Sequence, residues 1–411
     1  MRGTIARQKS GEYVNKMYQV LDLFSGAGGM AEGFLQAGFA IPFASDRSEQ
    51  AALTYQTRHK QLGLKHKYHC GDVLELSTPA VLNEFLGSNI SKIDVICGGP
   101  PCQGFSLAGQ RNPLDIRNKL VQSYIQILAQ VQPKYFVMEN VIGILSAHFI
   151  EYQGVNHLYK NEKVIDVLSS EFAAIGYPDV QIKVLDASDF RVPQKRQRVI
   201  FLGTRSDVSS KLVHPEPSGF GKVSVKEAIR DLVNIGIGEV QTTYKKTTYS
   251  EFQNQSRVGR TPSAFGEPIK AEKLLNHETS RHSALVSERF SHVKEGESIK
   301  NMLLRLNEMD AYRLKTKKQN CRRIIANQPS PTVLTLPDDL IHYQKDRILT
   351  VREMARLQSF DDSFEFMGKR TTGGNRRKFE TPQYTLVGNA VPPLLAKAIA
   401  TEILKNLNNR G

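Results

Sequence analysis

Apolar, β-branched segments alternate with helix-like segments over the first half of the chain, and this alternation restricts the fold more than any other feature. The strand-like segments are YQVLDLF (18–24), AIPFAS (40–45), KIDVICGG (92–99), KYFVMENV (134–141), VQIKVLDAS (180–188) and RVIFLGT (198–204). Between two of them, in NKLVQSYIQILAQV, Leu120, Tyr124, Ile127 and Leu128 share one face of a helix. Strands that alternate with helices predict an α/β fold with a parallel central sheet.

The character of the sequence changes after Arg205, which predicts a second domain. Residues 208–343 are polar, turn-rich and basic, without regular alternation. Helical spacing returns in LTVREMARLQSF and in PPLLAKAIATEILKNL, whose prolines suit a first helical turn. We therefore predict an N-terminal arm (1–17), a first domain (18–207), an inserted smaller domain (208–343) and a C-terminal segment (344–411) that completes the first domain.

The net charge favours a polyanionic partner. The chain has 55 Lys and Arg against 41 Asp and Glu, a formal net charge of +14 at pH 7, and nucleic acid is the polyanion that such a charge best predicts. The alternative is a soluble protein that is simply basic. No apolar run reaches the ~20 residues of a membrane span, and the basic arm is not followed by the hydrophobic stretch of a secretory signal.

The four cysteines differ in their surroundings. They are too few for a disulfide framework and fit no zinc-ligand spacing, so we expect a cytoplasmic location and no metal site. Cys97 lies within an apolar strand and is predicted to be a core residue. Cys102 lies in GGPPCQGFS, where two prolines stiffen the chain directly after the predicted strand KIDVICGG. Ligands bind at that edge of such sheets, which predicts a reactive thiol at Cys102.

A glycine-rich turn and a series of acids indicate a nucleotide-like cofactor. In DLFSGAGGMAEGF a strand runs into Gly26 and Gly28 and then into a helix whose N-terminus offers free N–H groups. Asp46 and Asp72 follow the next two strands, where a doubly wound fold holds ribose hydroxyls. The alternative is an ordinary tight turn with surface acids.

Two further segments place polar side chains near the same edge. MENV contributes Glu139, a candidate proton donor or acceptor, although a structural ion pair would also explain it. PQKRQR is predicted to place Gln194, Arg196 and Arg198 on one face of an extended run. These side chains could hold phosphates or a flipped base, or belong to a solvated edge strand.

A basic stretch closes the predicted second domain. No acidic residue occurs between Asp310 and Asp338. The basic residues there are Arg313, Lys315, Lys317, Lys318, Arg322 and Arg323. They predict contact with phosphates, and the alternative is a solvated loop.

Together these motifs resemble the DNA (cytosine-5) methyltransferase family. The chain contains, in the family's order, DLFSGAGG, GDV, GGPPCQGFS, DIRNKL, ENV, PQKRQR, LTVREMARLQSF and VGNAVPP, and these span nearly its whole length. The resemblance implies a Rossmann-like α/β sheet of the S-adenosylmethionine-dependent methyltransferases, with residues 18–207 as the catalytic and cofactor-binding domain. Residues 208–343 lie where the family has its target recognition domain. The compact length is typical of prokaryotic restriction-modification enzymes.

The resemblance also implies roles for the site residues. The Cys102 thiolate would attack carbon 6 of a cytosine flipped out of duplex DNA, and Glu139 would contact its ring nitrogen 3. Arg198, with Arg196, would orient the base, and Asn140 would order the loop that carries Cys102. The predicted substrate and DNA contacts are Gln103, Ser106, Asn140, Gln194, Arg313, Lys317, Arg322 and Arg323.

S-adenosylmethionine is the implied cofactor. Phe24 and the glycine turn would cradle its methionine part, Asp46 would hold the ribose and Asp72 the adenine amino group. The residues predicted to bind it are Phe24, Gly26, Gly28, Asp46, Asp72, Leu120, Asn389 and Val391. Asn389 and Val391 would bring the C-terminal helix back beside the first domain.

Several positions depart from the family's usual residues. Asp46 stands where glutamate is commoner, Arg47 where an aromatic or apolar residue is frequent, and Arg191 where glycine is frequent. Asp361 replaces a frequent proline and Leu386 a frequent glutamine. None of these belongs to the predicted catalytic set, so we expect an active enzyme.

Two other functions remain open at this stage. The same cysteine chemistry could methylate RNA, although the long basic insertion and the QGFS that follows Cys102 favour DNA. The alternative that is not an enzyme is a DNA-binding protein that has lost its catalytic activity. We expect a monomer on double-stranded DNA, no membrane association, and a cognate restriction endonuclease as a possible partner.

Overall fold

The computed structural model describes residues 17–101, 118–245, 247–372, 376 and 380–409. Its strands are β1 (Gln19–Leu23), β2 (Ala40–Asp46), β3 (Lys67–Cys70), β4 (Ile93–Gly98), β5 (Tyr135–Asn140), β6 (His148–Gln153), β7 (Leu158–Lys163), β8 (Asp179–Asp186), β9 (Gln197–Thr204), β10 (Arg322–Arg323) and β11 (Leu340–Ile341). Its helices in the first half are α1 (Gly29–Gln36), α2 (Glu49–Gln61), α3 (Val73–Leu76), α4 (Pro79–Leu86), α5 (Asn118–Val131) and α6 (Val164–Ala174). Those that follow are α7 (Val225–Ile229), α8 (Glu251–Val258), α9 (Ala284–Ser291), α10 (Ile299–Arg305), α11 (Glu308–Arg313), α12 (Val351–Leu357), α13 (Gln383–Asn389) and α14 (Pro393–Asn408).

Seven strands form one mixed sheet in the order β3-β2-β1-β4-β5-β9-β8. All six predicted strands are present, and the α/β class is confirmed. The prediction of a parallel sheet is wrong at one edge, because β9 runs antiparallel to both β5 and β8. A parallel crossover needs a dozen or more residues and usually a helix. Only a short segment with one 3-10 turn, Ala187–Phe190, connects β8 to β9, so the chain reverses there.

The two faces of the sheet build two separate hydrophobic clusters. In β1, Leu21 and Leu23 contribute to one cluster and Val20 to the other, as strand alternation requires. Helices α5 and α6 cover the first face, whereas α1 and α14 cover the second. Both faces are therefore buried, which explains why these strands are almost continuously apolar.

A hairpin that the sequence did not suggest follows β5. β6 and β7 pair antiparallel, and Phe149, Tyr152 and Tyr159 are buried in the first cluster. The neighbouring Ile150 and Glu151 are both exposed, so the strand lacks a strict alternation of apolar and polar residues. The hairpin was missed for this reason.

The C-terminal helix returns to the first helix of the chain. α14 packs along α1, and Leu395, Ile399 and Ile403 join the second cluster. The close approach depends on Gly33, where a Cβ atom would lie 2.6 Å from the carbonyl oxygen of Pro393. The last residues of the chain thus complete the layer that begins beside the glycine-rich turn.

Residues between the sheet and α14 are divided between two further clusters. One joins the α7 region to α12 and α13, including Val225, Ile229, Val351 and Leu357. The other is a small core of its own, formed by Phe290, Val293, Ile299, Met302, Leu314, Cys321, Ile341 and Ile348. The first of these clusters spans the predicted boundary at 343/344. The predicted domain limits remain predictions.

A network of buried ion pairs surrounds α12. The Arg356 guanidinium donates to Asp362 at 2.8 and 2.7 Å and to Asp231, and these three side chains are almost fully buried. Arg347 forms a two-point ion pair with Glu353 at 2.8 and 2.7 Å. The sequence predicted helical spacing for α12, and in the structure every one of its residues is buried. Its charged side chains have ion-pair partners: Arg356 pairs with Asp231 and Asp362, and Glu353 pairs with Arg347.

The structure describes the backbone or contacts at two of the positions that depart from the family pattern. Asp361, in place of a frequent proline, is fully buried and accepts hydrogen bonds from the backbone of Arg260 at 2.7 Å and Thr261 at 3.1 Å. Arg191, in place of a frequent glycine, has a φ of 65°, the left-handed conformation in which glycine is favoured.

We predict that Gly33→Ala destabilises the fold. In an exposed helix this change would add about 0.5–1 kcal/mol of stability. At Gly33 the new methyl group would overlap α14, and overpacking of this kind costs about 1–3 kcal/mol. Urea unfolding measures the difference. Gly221→Ala is the matched control, because no atom lies within 4 Å of its Cβ position. A Gly33→Ala protein as stable as the native one would contradict the packing described.

We predict that Asp362→Asn costs about 3–5 kcal/mol at pH 7, because it leaves the buried Arg356 charge incompletely compensated. Burial raises the pKa of Asp362, but the charge and hydrogen bonds of Arg356 outweigh burial, so that the pKa falls from 3.8 to about 2. The carboxylate therefore contributes its stability above pH 4 and loses it as the pH falls towards 2. The difference between native and variant should shrink over that interval in urea unfolding. Asp338→Asn, which breaks an exposed pair with Lys318, should cost less than about 1 kcal/mol. A pH-independent difference would exclude the ion pair as its cause.

Candidate active site

The glycine-rich turn after β1 has an unusual backbone. Phe24, Gly26 and Gly28 all have positive φ angles, of 55°, 53° and 97°. For Phe24 this left-handed conformation costs about 1–2 kcal/mol, and such strain persists only where the surrounding structure enforces it. No atom lies within 4 Å of the Cβ position of Gly26, so the turn has open space beside it. The geometry provides a cradle into which a ligand can approach the backbone.

Asp46 lies at the end of β2, directly against this turn. Its carboxylate accepts hydrogen bonds from the backbone N–H of Gly26 and of Ser48, both at 2.9 Å. Burial nevertheless raises the pKa of Asp46, because desolvation outweighs these hydrogen bonds. The carboxylate position is thus fixed by two neighbouring elements at the carboxyl edge of the sheet.

The other predicted cofactor residues differ from one another in burial and in contacts. Asp72 is exposed and caps α3 by accepting from the Leu74 N–H at 3.0 Å. Leu120 is half-buried against the first cluster, and Asn389 is exposed at the end of α13. The Val391 carbonyl lies against Gly29, the first residue of α1. Their contacts with a cofactor remain predictions.

The residues before Cys102 are fixed by β5. The Asn140 side-chain amide donates to the carbonyl of Pro100 at 3.2 Å, as expected for a residue that orders this segment. A Cβ atom at Gly99 would lie 3.0 Å from Oε2 of Glu139, so the glycine makes room for that carboxylate. Cys102, Gln103 and Ser106 lie outside the described residues.

Glu139 and Arg198 form an ion pair at the same edge. Arg198 Nε lies 2.6 Å from Glu139 Oε1, and the two side chains are 14% and 13% exposed. Antiparallel pairing of β5 with β9 makes this contact possible, because it aligns Glu139 with Ile200, two residues beyond Arg198. The reversal of β9, which the sequence did not predict, therefore brings two predicted catalytic residues together.

An open cleft of about 460 Å³ lies beside this pair. Its lining residues are Val141, Ile142, Gly143, Asp186, Lys195, Gln197, Arg198 and Thr332. The Thr332 hydroxyl donates to the carbonyl of Lys195 at 2.8 Å, so a segment from the C-terminal half forms one wall. Lys195, Gln197 and Thr332 were missed by the sequence analysis. Lys195 and Gln197 occur within the PQKRQR motif, and that motif is the sequence feature that could have identified them as cleft residues.

Gln194 and Arg196 are both buried, and their predicted roles remain predictions. Gln194 donates to the Leu357 carbonyl and to the Gln358 side chain, and it accepts from the Val333 N–H. Arg196 is 2% exposed and donates to the carbonyls of Val333 and Gly388, and burial lowers its pKa to about 9. The predicted alternation fails because β9 begins only at Gln197. Both side chains hold the C-terminal half against the sheet.

The predicted DNA contacts in the basic stretch differ in burial and in ion pairing. Arg323 is buried and donates to the carbonyls of Val293, His342, Lys345 and Phe290 and to Asp346, so its guanidinium is used within the protein. Its phosphate contact remains a prediction. Arg313 is exposed, but its charge is paired with Glu288 and Asp310. Lys317 and Arg322 are exposed and have no ion-pair partner among the described residues. These two are the strongest phosphate-contact candidates of the four.

Comparison with known proteins places this chain in a family. Residues 18–405 match the family of C-5 cytosine-specific DNA methylases. The chain is 34% identical over 404 residues to Type II methyltransferase M.DdeI of Desulfomicrobium norvegicum, covering 95% of this chain and 90% of that protein. It is 32% identical to Type II methyltransferase M1.HphI of Haemophilus parahaemolyticus, covering 95% and 87%.

A solved structure shares the fold. The chain superimposes with a TM-score of 0.71 on a DNA modification methyltransferase encoded within an E. coli prophage, at 25% identity, covering 95% of this chain and 99% of that one. None of the described helices combines the length and the apolarity that a membrane crossing requires. The chain therefore belongs to the C-5 cytosine-specific DNA methylase family and is a DNA (cytosine-5-)-methyltransferase.

Proposed function

We propose that this enzyme methylates carbon 5 of a cytosine in a specific sequence of duplex DNA, through a covalent adduct with Cys102. The observation that supports this most directly is the Glu139–Arg198 ion pair beside the segment that leads into Cys102. It places a carboxylate and a guanidinium at the carboxyl edge of the sheet, next to an open cleft that contains Arg198. Similarity to Type II methyltransferases supports the DNA substrate.

The proposed reaction begins when the target cytosine leaves the duplex, at a cost of a few kcal/mol. The Cys102 thiolate forms a bond to carbon 6, and Glu139 contacts ring nitrogen 3 and assists its protonation. Carbon 5 then becomes nucleophilic and accepts the methyl group. Loss of the carbon 5 proton and breakage of the Cys102 bond restore the aromatic ring, so that the thiolate is regenerated. Arg198 holds the Glu139 carboxylate in place and contacts the base.

S-adenosylmethionine would supply the methyl group when bound. The described residues fit this molecule: the open space at Gly26 accommodates a ligand, and the fixed Asp46 carboxylate can accept from ribose hydroxyls. Phe24 and Gly28 shape the turn, and Asp72, Leu120, Asn389 and Val391 complete the proposed set. The shorter Asp46 side chain keeps the carboxylate chemistry that a glutamate would provide.

We propose that DNA occupies the cleft lined by Lys195, Gln197 and Thr332 and extends over the exposed Lys317 and Arg322. The biological role would be protection of host DNA from a cognate restriction endonuclease, as the names of the similar Type II methyltransferases suggest. The enzyme would act as a monomer in the cytoplasm. Methylation of RNA is the competing outcome, and comparing duplex DNA with transfer RNA as substrates distinguishes the two.

We predict that Cys102→Ala abolishes methyl transfer to duplex DNA but retains binding of S-adenosylmethionine, because the thiolate is needed only for attack on carbon 6. Bisulfite sequencing measures the product, and calorimetry measures cofactor binding. Native enzyme should also form a lasting covalent complex with duplex DNA that carries 5-fluorocytosine, since the carbon 5 proton that must leave is absent.

Cys321→Ala is the control for this experiment. Cys321 is buried in the small core of the inserted region, so its substitution should leave methylation intact. Methylation by Cys102→Ala, or a fluorocytosine complex formed by that variant, would rule out Cys102 as the nucleophile.

We predict that the Lys317→Ala/Arg322→Ala double variant has a shallower salt dependence of DNA affinity. Each lost phosphate contact lowers the slope of log K against log salt by about 0.9. The double variant should therefore lose about 2 units of slope, measured by fluorescence anisotropy on cognate duplex. Arg313→Gln is the matched control, because Glu288 and Asp310 already pair that charge. An unchanged slope in the double variant would assign both side chains to a solvated surface.

A further inference from the structure

We propose that Tyr68 is a positioning residue for the cofactor: its hydroxyl holds Ser25, the residue at the centre of the strained glycine-rich turn. The inference rests on the proposed use of that turn to bind S-adenosylmethionine. Tyr68 belongs to none of the motifs considered above. It lies on β3, one strand beyond Asp46.

Ser25 is built into the turn by its backbone and its side chain. Its N–H donates to the carbonyl of Ser45 at 3.0 Å, and its own carbonyl accepts from the Gly28 N–H at 2.9 Å. The side chain is 7% exposed, and its hydroxyl lies 3.0 Å from the Tyr68 hydroxyl. Among the described residues, the Ser25 hydroxyl forms its side-chain hydrogen bond with Tyr68. This bond connects the middle of the turn to strand β3.

Tyr68 also contacts the residue behind Gly28. The Tyr68 ring lies 5.2 Å from the ring of Tyr55. Tyr55 is fully buried, and one of its ring carbons lies 3.0 Å from the Cβ position of Gly28. On its other side Tyr55 stacks on His59 at 4.3 Å. The turn is therefore supported at two points, at Ser25 by a hydroxyl and at Gly28 by an aromatic ring.

This support matters because the turn has three residues with positive φ, one of them the non-glycine Phe24. A strained turn that loses an external hydrogen bond spends less time in its binding conformation. The apparent affinity of a ligand falls by the fraction of protein that is competent to bind it. Because Tyr68 touches neither the cleft nor the Glu139–Arg198 pair in the described contacts, its loss should not alter the chemical step.

The test is Tyr68→Phe in the full chain, which keeps the ring contact with Tyr55 and removes only the hydroxyl. One neutral hydrogen bond corresponds to a factor of about 2–10 in an equilibrium constant. We expect the Kd and the KM for S-adenosylmethionine to rise by about that factor, while kcat and the KM for DNA stay within about twofold of native. Calorimetry without DNA and steady-state kinetics provide the four constants.

Tyr177→Phe is the matched control. Tyr177 is fully buried, and its hydroxyl donates to the carbonyl of Pro133 at 2.7 Å, within the cluster on the face of the sheet that α5 and α6 cover. The variant loses a hydrogen bond of the same kind, so its thermal stability should fall while its cofactor Kd stays native. An equal rise in Kd in both variants would mean that general destabilisation, not the turn, explains the effect.

Ser25→Ala removes the other end of the same bond and provides a second test. If Tyr68 acts through Ser25, the Tyr68→Phe/Ser25→Ala double variant should bind S-adenosylmethionine no more weakly than Ser25→Ala alone. Additive losses, or a native Kd in Tyr68→Phe, would overturn the inference while leaving the proposed function intact. A native enzyme that does not bind S-adenosylmethionine would instead overturn both.

Discussion

The buried ion pairs around α12 are the constraint on which the arrangement of this chain depends. Arg356 is removed from water, and its partner Asp231 lies 125 residues earlier in the sequence. A guanidinium buried without its carboxylates is costly, so the α7 region and the C-terminal segment must both be in place before either is stable. The Arg356–Asp231 pair therefore couples the segment that follows α7 to the segment that carries α12, and neither segment can form this pair alone.

The same dependence extends to the proposed active site. Arg196 and Gln194 are buried and hold the segments around Val333 and Gly388 against the sheet. That contact brings Thr332 to the wall of the cleft that contains Arg198. The cleft is thus assembled from the first half of the chain and from residues more than 100 positions later, held together by the buried side chains of Gln194 and Arg196.

Residue type and spacing led to the prediction of part of this candidate site. Glu139 was identified because a carboxylate that directly ends a buried strand lies at the ligand-binding edge of an α/β sheet. The shared face expected for Gln194, Arg196 and Arg198 assumed an extended strand, whereas β9 begins only at Gln197. For Arg323, charge alone did not predict a buried guanidinium that donates to backbone carbonyls.

The sequence by itself determined the α/β class, the positions of six sheet strands and the glycine-rich turn with Asp46 beside it, because these depend on local periodicity and backbone conformation. Only the tertiary structure decided the reversal of β9, the pairing of Arg198 with Glu139 and the support of Ser25 by Tyr68. Those contacts join residues that are distant in sequence. Their geometry depends on how strands pair and how buried charges find partners, and neither is encoded in any single segment.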